Sequence, residues 1–181
     1  MRTNQSLTRI AIALVVSAAL SGQGARAEDK HDKDDDDDEA NIPAKDLKDA
    51  KVSLEDALKA SEAQGTPISA KFELEKGKKL QLSVYTAKGD KFSELLVDYR
   101  TGKVVKTEPI TDGDDVKAAQ TQNAAMGKAK DTLRVAVGKA VAANKGFRAV
   151  SAVPKLDGDH PVAQITLVKG AESHTVAQKL D

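Results

Sequence analysis

One pattern constrains this chain more than any other. A short helical apolar stripe is followed by segments that alternate apolar and polar residues, over residues 53–110 and again over residues 131–181. In the first stretch Leu54, Ala57, Leu58 and Ser61 fall on one helical face, after Ser53 as an N-cap and Glu55 and Asp56 in the first turn. Leu47 and Ala50 continue the stripe upstream, and Gly65 with Pro67 ends it. Ile68, Ala70, Phe72 and Leu74 then alternate with Ser69, Lys71, Glu73 and Glu75, a strand with one apolar side. Lys76-Gly77 and Lys88-Gly89-Asp90 read as turns around a second strand carrying Leu80, Leu82 and Val84. A third strand carries Leu95, Val97 and Tyr99 into Thr101-Gly102 and Val104-Val105.

Strands with one wet side fit an antiparallel sheet covered on its apolar side by a helix. The expected fold class is therefore α+β, a helix packed on a small antiparallel sheet. The pattern predicts that this unit is duplicated. Leu133, Ala136, Val137 and Ala140 repeat the stripe at an offset of 79, and Gly146, Gly158 and Gly170 stand where Gly65, Gly77 and Gly89 stood. Between the two lies Thr111-Asp112-Gly113-Asp114-Asp115, read as a turn and N-cap in preference to a cation loop, and an Ala- and Gln-rich helix from Val116 to Lys130 with a poor apolar stripe, read as an exposed connector. The expected organisation is residues 1–27 leader, 28–44 acidic segment, 45–112 first unit, 113–130 connecting helix and 131–181 second unit.

The leader reading rests on Arg2 and Arg9, the apolar run from Ile10 to Leu20, and Ala25-Arg26-Ala27 as a cleavage site. It predicts an exported product, periplasmic or secreted, with no membrane span after cleavage. The chain has no cysteine, which excludes thiol catalysis, disulfides and cysteine-based zinc sites. Cleavage leaves 154 residues, enough for a core without cross-links.

Net charge is zero, yet it is unevenly spread. Residues 28–40 hold nine acids against Lys30 and Lys33, a charge of −7, while residues 41–181 carry +4. A charge run of this density stays solvated. Its carboxylates, Asp34, Asp35, Asp36, Asp37, Asp38 and Glu39, are also hard oxygen ligands, so weak divalent-cation binding is an alternative function. The turn glycine and distal glutamate of a calcium loop are missing from the run.

Catalytic patterns are sparse. The three histidines, His31, His160 and His174, form no metal-ligand pair at helical spacing. Ser151 and Ser173 lie in no nucleophile elbow. Most of the five aromatics fall within strand alternation, which argues against a stacking platform for nucleic acid. The chain is read as a non-enzymatic binding protein without a cofactor.

The helix Ser53-Leu54-Glu55-Asp56-Ala57-Leu58, the hairpin strands, and the closing Asp98, Thr101, Gly102 and Val104 together resemble the PepSY domain family. The resemblance covers residues 53–107. It implies a helix on an antiparallel sheet and a role in inhibiting or regulating a periplasmic or secreted peptidase, or in binding another envelope protein. Asp98, Tyr99, Arg100, Thr101 and Gly102 are the candidate binding residues it points to. Turn chemistry alone also explains them, since Asp and Thr hydrogen-bond local amides and Gly takes a left-handed backbone. The second stretch stops short of any such closing motif.

Overall fold

A computed structural model of the chain describes Ile42, residues 44–75 and residues 79–181. The expected leader, the acidic run with Asp34 to Glu39, and the Lys76-Gly77 turn lie outside the described residues. Helices α1 (Ala44–Leu47) and α2 (Leu54–Ser61) precede strands β1 (Thr66–Glu75), β2 (Lys79–Lys88), β3 (Lys91–Val97) and β4 (Val104–Pro109). Helices α3 (Gly113–Lys128) and α4 (Leu133–Ala143) then lead into β5 (Arg148–Asp157), β6 (His160–Lys169) and β7 (Glu172–Lys179).

Local chemistry sets the helix starts. The Ser53 hydroxyl accepts from the Asp56 amide at 3.1 Å, and the Asp56 carboxylate accepts from the Ser53 amide at 3.2 Å, a capping box that fixes the start of α2. Thr132 caps α4 through the Val135 amide, and Asp112 caps α3 through the Asp114 amide. The stripes expected on α2 and α4 are buried.

The strands do not form two small sheets. They make one seven-stranded antiparallel sheet in the order β4-β3-β2-β1-β5-β6-β7. Strand accounts for 45% of the described residues and helix for 28%, so the short helices are an addition to a continuous sheet. The expected fold class, a helix packed on a small antiparallel sheet, is corrected accordingly. Alternation reports that each strand has an apolar side; it does not report that β1 pairs with β5. That seam is short, with Ala70 opposite Ala152 and Lys71 opposite Ser151. Each of the two seam strands has a register shift beside it, at Pro67/Ser69 and at Ala149/Ser151.

Both sides of the sheet are covered. On one side α2 and α4 share a core with Phe72, Leu82, Val84, Ile165 and Leu167. Each such side chain removed from water stabilises the fold by roughly 1.5–3 kcal/mol. On the other side α3 lies against β1, β2, β5 and β6. Ala119 there joins a smaller core of Ile68, Tyr85, Ala87, Phe92 and Ile110. The exposed connector expected from sequence is thus a packed helix: Ala118, Ala119, Gln122 and Ala125 are buried. Alanines bury little area each, so the stripe was faint in sequence.

The segments before α2 and α4 dock alike. The amides of Lys51 and Val52 both donate to the Tyr99 carbonyl, at 2.9 and 3.0 Å. The amides of Lys130 and Asp131 both donate to the Leu180 carbonyl, at 2.7 and 2.9 Å.

Candidate functional site

The five candidate residues form one turn that joins β3 to β4. The Asp98 carboxylate accepts from the amides of Arg100 and Thr101 at 2.9 and 2.8 Å. The Asp98 carbonyl accepts from the Gly102 amide at 2.8 Å, and its own amide donates to Lys103. Those two backbone donors, Arg100 first, hold the Asp98 carboxyl below its ordinary value. Gly102 sits at φ 74°, where a side chain is strained, and a Cβ would also lie 3.6 Å from Val52. Tyr99 gives its carbonyl to the segment before α2 and packs its ring on the main core. Arg100 is exposed, 5.4 Å from the Tyr99 ring and 3.8 Å from the Asp49 carboxylate. The turn therefore closes a hairpin and locks the start of α2. Arg100 and Thr101 are its exposed side chains.

A polar network covers the α3 side of the first three strands. Lys71 pairs with Glu73 at 2.7 Å, and the Ser83 hydroxyl and the Gln81 amide both donate to Glu73 at 3.0 Å. Buried Tyr85 donates to buried Glu94 at 3.3 Å. Burial pushes the Glu94 carboxyl up, with Glu73 adding to the effect. Burial pushes the Tyr85 phenol up as well, and the Glu94 charge pushes it further. Buried Ser69 donates to the Gln122 carbonyl oxygen at 2.8 Å, tying α3 to β1. The alternation places Ser69, Lys71, Glu73, Gln81 and Ser83 on the polar side of their strands and singles out neither Tyr85 nor Glu94. Glu94 alternating with Ser93 and Leu95 on strand β3 gave no sign that α3 would cover its neighbours.

Arg148 was also missed by sequence reasoning. Its guanidinium lies 4.9 Å from the Phe72 ring and donates to the carbonyls of Ala50 at 2.9 Å and of Val52. The Nε atom is buried without a partner. The residue straps the chain before α2 onto β5.

The two histidines among the described residues make local contacts. His160 meets Asp181 at 2.9 Å, and His174 meets Asn144 at 3.2 Å with its ring edge-on to Phe147. Among the described residues no group of three or more His, Cys, Asp or Glu could hold a metal ion. An open groove of about 670 Å³ runs between the end of α2 and the start of α4. The Glu62–Arg134 ion pair, 2.9 Å, borders it, and Pro67, Ala87 and Leu133 are among the apolar residues lining it. Among the described residues no helix is long and apolar enough to cross a membrane.

No family model matches the chain, and no curated protein matches it in sequence. Among solved structures, it aligns with the crystal structure of a protein provisionally described as a lipoprotein, from Clostridium difficile 630. The two are 18% identical with a TM-score of 0.41, over 75% of this chain and 91% of that one. A likeness that remote carries nothing about fold or function.

Proposed function

We propose that this chain is an exported, non-enzymatic binding or regulatory protein built of two tandem PepSY-like units, acting on a periplasmic or secreted peptidase or another envelope protein. One observation carries the reading. The two amides before each helix converge on one carbonyl, Lys51 and Val52 on Tyr99, Lys130 and Asp131 on Leu180. Helix, strands and closing carbonyl recur in the same order, and the seam sets Ala70 against Ala152, each equally far past the register shift of its strand. The Asp98 turn belongs to the first unit alone. The leader sequence supports export.

The test is direct. Purified protein is added to purified envelope peptidases of the source cell, and turnover of a peptide substrate is followed. The role predicts a saturable change in rate for at least one of them. No change with any of them, and no complex by light scattering, would sink it.

The acidic run favours a second reading, a divalent-cation-binding envelope protein using Asp34, Asp35, Asp36, Asp37, Asp38 and Glu39. Calorimetry with calcium, copper and zinc, on the full chain and on one lacking residues 28–39, separates the two. Heat that depends on the run supports cation binding; equal heats at millimolar metal end it.

A further inference from the structure

The two outer strands of the sheet differ in how they meet solvent. In an antiparallel ladder, residues alternate between those whose backbone bonds face one neighbour and those whose bonds face the other. The Ile110 amide donates to the Phe92 carbonyl at 3.0 Å, so Phe92, Glu94 and Leu96 turn their backbone bonds toward β4. The Leu180 amide donates to the Pro161 carbonyl at 3.0 Å, so His174, Val176 and Gln178 bond to β6. Ser173, Thr175 and Ala177 turn their amides and carbonyls outward, and no strand among the described residues pairs with them.

Those three residues stand 81 positions after Phe92, Glu94 and Leu96, the same offset that separates Tyr99 from Leu180 and Gly89 from Gly170. The set that receives β4 in the first unit is therefore the set that is open in the second. The edges are also guarded differently. On β4, Pro109 sits opposite Ser93, where its missing amide would have pointed outward, and the register shifts at Leu96/Val97. Proline and bulges are the usual means of blunting an edge. The β6–β7 register runs without a shift from Lys169 opposite Glu172 to Val162 opposite Lys179, and β7 has no proline.

We propose that the outer edge of β7 receives an extended strand of a partner polypeptide, antiparallel, in the place that β4 takes on β3. The inference rests on the two-unit reading and names the site through which the partner is held. Main-chain bonds to Ser173, Thr175 and Ala177 supply affinity, and side-chain space supplies selectivity. Where the first unit has Glu94 and Leu96 on the α3 side, β7 has the smaller Thr175 and Ala177. The incoming strand therefore carries bulky apolar side chains at the alternate positions opposite them. An acidic residue near its start would meet Lys179.

The test uses the full chain and a synthetic peptide with the sequence of residues 102–110, followed by residue-resolved amide hydrogen exchange. At ten times the dissociation constant, exchange at Thr175 and Ala177 slows about tenfold, as mass action requires. A peptide with Lys106, which faces Leu96, replaced by Phe binds roughly tenfold more tightly, since it buries an aromatic side chain beside Ala177. Ala177→Pro removes an outward amide and no ladder bond, so it abolishes protection while leaving the melting temperature unchanged. Ser173→Pro serves the same purpose if Ala177→Pro fails to fold. No slowing at millimolar peptide, equal slowing in both proline variants, or slowing at β4 instead overturns the proposal. So does a dimer of the free chain that Ala177→Pro dissociates, because a second copy would then own the edge. A peptidase effect that survives the proline variants removes the β7 site and leaves the binding role standing.

Discussion

The guanidinium of Arg148, at the start of β5, lies over the ring of Phe72 in β1, with 4.9 Å between them. It also donates to the carbonyls of Ala50 and Val52, so one side chain joins both halves of the sheet to the segment before α2. Replacing it with Met keeps some of the apolar contact and leaves those carbonyls without their donors. Arg148→Met should cost roughly 2–4 kcal/mol, the sum of orphaned acceptors and a lost cation–π contact. Arg148→Lys should recover only part of that, because an ammonium cannot span the carbonyls as a planar fork does. Urea unfolding of the three proteins checks both the size and the order.

Glu94 gives a pH dependence with a definite sign. Burial raises its carboxyl above the ordinary 4.5, so the folded chain holds that proton to higher pH than the unfolded chain does. Its contribution to stability is present below 4.5 and is lost as pH rises through the folded value. Glu94→Gln keeps an acceptor for Tyr85 and removes the charge. It should flatten the decline on the alkaline side and leave the protein at least as stable as the parent at pH 7. A fall in stability of Glu94→Gln at neutral pH would show that the ionised form is held favourably.

The opposite trend belongs to Asp98. Its carboxyl is lowered from 3.8, so its contribution is present above that value and fades as pH falls through the folded value. Asp98→Asn should make the acid limb of the stability profile shallower, measured as melting temperature against pH.

Two glycines should respond in opposite ways to alanine. A Cβ on Gly65 would come within 2.8 Å of the Ala87 carbonyl oxygen, a backbone atom that cannot swing aside. Gly65→Ala should cost about 1–3 kcal/mol by crowding α2 off β2. Gly138 lies inside α4 with nothing near its Cβ position, so Gly138→Ala should stabilise by about 0.5–1 kcal/mol through helix propensity. Thermal melts of the pair decide it.

Helix α3 is seated by Ser69 and Gln122 as well as by its alanines. Gln122→Ala leaves the buried Ser69 hydroxyl unpaired, at a cost of about 1–3 kcal/mol. Amide exchange in α3 should rise more than exchange in α4, which rests on the other side of the sheet.

Local features were readable in the sequence because local chemistry decides them. Ser53 announces α2, the stripe of Leu54, Ala57 and Leu58 announces its buried side, and Gly89 and Gly170, both at φ 61°, announce hairpin turns. The position of the Asp98 to Gly102 turn followed from the same chemistry. The β1–β5 seam did not, since it joins residues 80 and 82 positions apart through Ala70, Lys71, Ser151 and Ala152, whose types carry no mark of pairing. The second core was hidden for a related reason. Its helix contributes Ala119 and Gln122, and its strands contribute Tyr85 and Glu94, so polar partners replace the apolar periodicity that would have exposed it.

Residues 47–52 are the stretch through which the acidic N-terminal run joins the sheet, and Arg148 fastens them to β5 while Tyr99 fastens them to the end of β3. That stretch is thereby held by both halves of the sheet at once, a bridge between them that does not run through the two residue pairs of the β1–β5 seam.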